Sequence, residues 1–164
     1  MEITAATITA EQQFLVHNVD RYVSLINTTR DALGTEFDTD VDHSTSEQFL
    51  DAVDIVFTDV DLAVNVAGLM AVLRTLDVPD DHPAFILDDL LGRRLAATIA
   101  GGEPRATLAE ATFHYVDVTQ VTEHGTAGED DLDAGVVAGM QTRLPGWPWE
   151  AAERPFEPAR RSDT

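Results

Sequence analysis

A Ser or Thr followed three residues later by Glu or Gln, just ahead of an apolar run, starts a helix. The two side chains reciprocally satisfy backbone donors that the first turn leaves unpaired. This chain carries the pattern at Thr9/Gln12, Ser44/Glu47, Thr107/Glu110 and Thr126/Glu129. A fifth start is marked by Asp80, Asp81 and Pro83, acids followed by a proline suited to a first helical turn. Five such starts in 164 residues leave room for little besides helices and short loops. They predict an all-α fold, a bundle of about five helices.

Apolar spacing supports each start. The first segment, about 10–33, has a seam of Leu15, Val19, Tyr22, Ile26 and Leu33, spaced 4, 3, 4 and 7. Gly34 is a natural stop. In the second, about 45–77, Phe49, Val53, Val56, Val60, Ala63, Ala67 and Met70 alternate steps of 4 and 3. An unbroken helix of that length would reach roughly 50 Å, against a radius of gyration of about 15 Å for a compact domain of this size. The reading is therefore a kink, placed at Asn65–Gly68, or a helix projecting toward a neighbouring subunit. A third segment, about 83–100, ends at Gly101-Gly102, and a fifth, about 127–143, carries Leu132, Val136, Val137 and Met140. The fourth, about 107–124, has a seam of Leu108, Ala111, Tyr115 and Val118. Its stretch TFHYVDVTQVT is also β-prone, and the capping box decides for helix. Gly135 and Gly139 read as glycines that the fifth helix tolerates rather than requires.

Charge restricts the solvent and the partners. There are 30 acidic residues, and the ten basic residues are all Arg, giving a net charge of −20. Self-repulsion of that size destabilises a compact chain. Molar salt removes the repulsion, since the Debye length falls to roughly 3 Å at 1 M. The composition thus predicts a protein of concentrated salt, as in a halophilic host. It argues against nucleic acid, because no basic stripe is available to replace phosphate counterions. Without Cys there are no disulfides, thiol nucleophiles or thiolate metal ligands, and without Lys there is no Schiff base. No apolar run approaches a membrane span, and residues 1–10 lack the charge and apolar core of a signal peptide. The expected location is the cytoplasm, or an assembled virion.

Candidate reactive groups are sparse. Asp38, Asp40 and Asp42 open like a calcium loop, but His43 stands where that loop needs Gly, and Phe49 where it needs Glu. Glu110, His114 and Asp117 lie at i, i+4 and i+7 on one helical face and could share a metal or exchange a proton. They form the alternative reading, a metal-binding or enzymatic bundle. The assumed seam points elsewhere, which leaves the trio at its edge or in solvent. Another alternative is a small regulatory or granule-associated binder. His17, Asp20 and Ser24 share a polar helix side without an oxyanion hole.

From Pro145 the composition changes. Residues 145–164 hold four of seven prolines and both tryptophans, and residues 151–164 balance three Arg against three acids. This divides the chain into an acidic helical body, 1–144, and an extended arm, 145–164. Trp147, Trp149, Phe156, Arg160 and Arg161 are the expected partner-binding residues, since Trp and Arg dominate protein interfaces. The leading expectation is a non-enzymatic structural subunit without cofactor. It would form a homo-oligomeric ring or larger particle and contact a second structural protein. By architectural analogy alone, a head–tail connector of a tailed virus is one form of it.

Overall fold

The computed structural model describes residues 1–77, 87–119 and 126–148. They form an all-α bundle of seven helices, with no strand among the described residues. The helices are α1 (Ala5–His17), α2 (Val19–Glu36), α3 (Ser46–Thr58), α4 (Val60–Thr75), α5 (Leu87–Ala100), α6 (Arg105–Thr119) and α7 (Ala127–Gln141). The β-prone stretch is helical through Thr119, and residues 120–125 lie outside the described set.

Two expected helices are four. The first segment breaks at Asn18, whose side chain donates to the Phe14 carbonyl at 2.8 Å and closes α1. The second breaks at Asp59, not at Asn65–Gly68. Asp59 has extended backbone (φ −77°, ψ 111°), and its carboxylate accepts from the Leu62 amide at 3.2 Å, an N-cap that starts α4. The chain turns through 107° there. The 4/3 spacing runs on through the bend, but Val60, the residue that carries it across, is 71% exposed. Asn65–Gly68 stays inside α4.

The capping boxes are also displaced. The cap of α1 is Thr4 with Thr7, and that of α3 is Thr45 with Gln48, one residue beyond Ser44/Glu47. Thr107 lies inside α6, where its amide and hydroxyl bond the Glu103 carboxylate. Thr126 does cap α7, accepting from the Glu129 amide at 3.2 Å.

α7 runs through the centre. From Ala134 to Gln141 every residue is buried, with α5 and α6 packed most closely on it and α4, α2 and α3 completing its surround. Its glycines are structural requirements, which corrects the tolerant reading. A Cβ on Gly135 would stand 2.8 Å from the Gly92 carbonyl oxygen of α5. One on Gly139 would stand 2.7 Å from Ile99 Cβ and 2.8 Å from the Ala96 carbonyl oxygen. At the other side of the core, Tyr22 stacks on Phe49 with ring centroids 6.0 Å apart, tying α2 to α3.

Candidate functional site

The buried face of α6 is Ala109, Thr112, Phe113 and Val116, one residue off the expected seam. Val118, assigned to that seam, is exposed. The shift turns Asp117 inward, since it follows Phe113 by four residues and Val116 by one. Glu110 and His114 remain exposed, so the trio read along one helix does not assemble.

Asp117 instead meets carboxylates from two other helices. α6 runs antiparallel to α5, so its last turns come back to the start of α5, where Asp88 and Asp89 sit in the first turn. The first turns of α7 bring Asp131 to the same place. Asp89, Asp117 and Asp131 each offer an oxygen, and all three oxygens lie within 4.8 Å of one another. Gly92 is what allows this approach. A Cβ there would stand 2.7 Å from the Phe113 ring and 3.0 Å from the Asp131 carbonyl oxygen, so a larger residue would push both partner helices away.

Ionised carboxylates this close repel one another. Two unit charges 4 Å apart repel by about 4 kcal/mol at an effective dielectric of 20. Asp88 and Asp131 are both buried, and Asp117 is half-buried. Arg93 bonds Asp89 at 2.7 Å and supplies one positive charge from a solvent-facing position. The amino ends of α5 and α7 add a modest attraction for negative charge. Burial, hydrogen bonding with Asp88 and Asp117, and the charges of those two push the Asp131 carboxyl up to about 10. Asp117 is raised as well, chiefly by burial, while its hydrogen bond from Asp131 acts the other way.

A pH dependence follows for the cation-free protein. Above the ordinary carboxylate range the unfolded chain releases the Asp131 proton, whereas the folded chain keeps it until about pH 10. Stability from this group is therefore complete below about pH 4 and falls as pH rises through neutrality. In chelator-treated protein, the melting temperature of Asp131→Asn should gain on that of the natural chain between pH 5 and pH 9. Parallel pH profiles for the two chains would show that Asp131 titrates normally.

A second polar centre lies at the carboxyl end of α7. Arg30 of α2 is wholly buried. Its Nη2 donates to the carbonyls of Gln141 and Leu144, each at 3.0 Å. Its Nη1 donates to Asp42 at 2.8 Å and Pro145 at 2.6 Å. Trp147 lies across the guanidinium, 5.6 Å from ring centroid to Cζ. Its indole donates to Gln141 Oε1 at 2.7 Å, and Gln141 in turn bonds Thr112 of α6. The Asp42 amide bonds the Gly146 carbonyl at 3.1 Å, so the loop after α2 and the segment after α7 are held by the same cation. Trp147 is thus folded onto its own body. Trp149, Phe156, Arg160 and Arg161 lie outside the described residues.

The other candidates stay apart. Asp38, Asp40 and Asp42 are exposed, as are His17, Asp20 and Ser24. No single helix among the described residues is long and apolar enough to cross a membrane.

Fold and sites together define a helical bundle with a three-helix carboxylate cluster at one place and a clamped C-terminal segment at another. The chain belongs to the family described as domain of unknown function DUF7984, which matches residues 1–160 and so takes in both the bundle and most of the segment after it. No curated protein and no solved structure matches it.

Proposed function

We propose that the chain is a non-enzymatic structural subunit that assembles in concentrated salt, with copies of itself and a second structural protein, into a ring or larger particle. A head–tail connector is one particle of that kind. The observation that supports this reading is the clamp of Arg30, Gln141 and Trp147 on residues 141–147. Desolvating a guanidinium is costly, and here the buried cation is spent on holding the backbone where the C-terminal segment begins. A fixed exit point reduces the ordering entropy lost when the following residues dock on a partner. Those residues carry Trp149, Phe156, Arg160 and Arg161, in a stretch that sets three Arg against four acids, beside a body, 1–144, with a net charge of −19.

The clamp decides where the test should cut. A chain ending at Leu144 would lose Trp147 and damage the body. A chain ending at Pro148 keeps the clamp contacts described above and removes the four proposed anchors. Light scattering in about 2–3 M salt, where charge repulsion is screened, should find the full chain as a defined oligomer and the 1–148 chain as a monomer with the same melting temperature. A monomeric full chain, or an oligomer that survives the cut, would sink the reading.

A further inference from the structure

Asp88 holds the one carboxylate oxygen among the buried, unpartnered side-chain atoms of the described residues. The residue is 4% exposed, and its Oδ1 has no hydrogen-bond partner among the described residues. A buried carboxylate oxygen without a donor loses its hydration and gains nothing in return. The same carboxyl reaches Asp131 and faces the other acids of the cluster. What such an oxygen lacks is positive charge, and so does the whole group, because Arg93 is the single cation bonded to it among the described residues.

We propose that Asp88, Asp89, Asp117 and Asp131 bind one hard divalent cation of the calcium, magnesium and manganese class, joining α5, α6 and α7. The ligand set is all oxygen, which suits these ions and disfavours zinc or copper. Calcium takes its ligands at about 2.3–2.6 Å, so oxygens on opposite sides of it stand about 4.6–5.2 Å apart and neighbouring ones closer. The three oxygens within 4.8 Å of one another match that spacing without rearrangement of the helices. Asp88, in the same turn as Asp89 and hydrogen-bonded to Asp131, stands beside these three as the fourth carboxylate, and water completes the shell. The exposed Asp38, Asp40 and Asp42 loop is a different case. Its carboxylates face solvent, and the buried, unpartnered oxygen beside them is the neutral hydroxyl of Ser44, not a carboxylate that needs a counter-charge.

The site is independent of assembly and is tested on the full chain. Chelator-treated protein in about 1 M potassium chloride, where diffuse attraction of counterions is screened, is titrated calorimetrically with calcium, magnesium or manganese chloride. One saturable site per chain is expected for at least one of the three, with a rise in melting temperature on binding. Asp131→Asn and Asp117→Asn should each weaken binding tenfold or more while the far-ultraviolet circular dichroism stays helical. Asp38→Asn with Asp40→Asn should bind as the natural chain does. Absence of a saturable site for all three ions overturns the proposal. So does equal weakening by the loop variant, which would mark the attraction as a property of net charge. Because Asp117 is half-buried, its variant keeps the test open if Asp131→Asn fails to fold.

Discussion

Arg30→Met should lower the folding free energy by about 3–5 kcal/mol, the range found when one partner of a buried charged contact is removed. Methionine fills much of the same volume, so the loss is not one of packing. It comes from the four carbonyls of Asp42, Gln141, Leu144 and Pro145, which together receive both terminal nitrogens of Arg30. Replacing a buried ion pair with apolar residues is often neutral, because both polar partners leave together. Here the acceptors are backbone and cannot be replaced. An unsatisfied buried acceptor costs about 1–3 kcal/mol, and rearrangement or water entry at the loop holds the total below the sum of four. One of the carbonyls, that of Gln141, belongs to the last residue of α7, where the dipole favours a cation and no Lys or Arg occupies the last turn. Against a typical total of 5–15 kcal/mol the change takes a large share. Urea unfolding in high salt measures it. Arg30→Lys should fall between the two, since one ammonium cannot reproduce the flat fork that spans four acceptors. Trp147 fluorescence should also shift to the red in Arg30→Met, as the indole loses the ring-facing cation that lies against it. A variant within 1 kcal/mol of the natural chain would remove the clamp as an explanation for the fixed segment.

How much of this was legible depends on the range of the interaction that decides each feature. Helical class was legible, because caps and 3.6-residue spacing are local. Helix breaks were not. Asp59 is one acid among 30, and the 4/3 spacing passes through it undisturbed. The face of α6 was ambiguous for a specific reason. TFHYVDV places apolar residues at 113, 115, 116 and 118, so two helical phases fit it, and only packing against Gly92 selects Phe113 with Val116. Choosing the wrong phase also sent Asp117 to solvent and hid the cluster. Asp88, Asp89 and Asp131 read locally as acids at helix starts, a sufficient account until α5, α6 and α7 are brought together. Arg30 did leave a signal. The seam of the first segment steps 4, 3, 4 and then 7, and the missing position between Ile26 and Leu33 is Arg30. A charged residue at the one gap in an apolar seam marks a buried cation with acceptors around it, although which acceptors could come only from the fold.

Gly139→Ala sets two known effects against each other. In a helix interior alanine is favoured over glycine by about 1 kcal/mol, so a glycine that is merely tolerated becomes more stable when it is replaced. Gly102→Ala, where a Cβ meets nothing within 4 Å, should show a change of no more than a few tenths. At Gly139 the added methyl would enter between Ile99 Cβ at 2.7 Å and the Ala96 carbonyl oxygen at 2.8 Å. Neither neighbour is the free end of a flexible side chain. One is fixed to the α5 backbone and the other is that backbone, so α5 itself must move away from α7. Overpacking of a core typically costs about 1–3 kcal/mol and occasionally more. With rigid atoms on both sides we expect about 2–4 kcal/mol after the propensity gain is subtracted. The displacement should reach beyond stability. α5 carries Asp88 and Asp89, and α7 carries Asp131, so pushing the two helices apart opens the carboxylate cluster from a distance. Gly139→Ala should therefore weaken divalent cation binding without altering any ligand, and Gly135→Ala, which would press on the Gly92 carbonyl at 2.8 Å, should weaken it more because it lies nearer the cluster. Thermal unfolding with and without the cation separates the two effects. Stabilisation by Gly139→Ala would mean that the α5–α7 contact is looser than its geometry requires. Destabilisation with unchanged affinity would mean that the strain relaxes before it reaches Asp131.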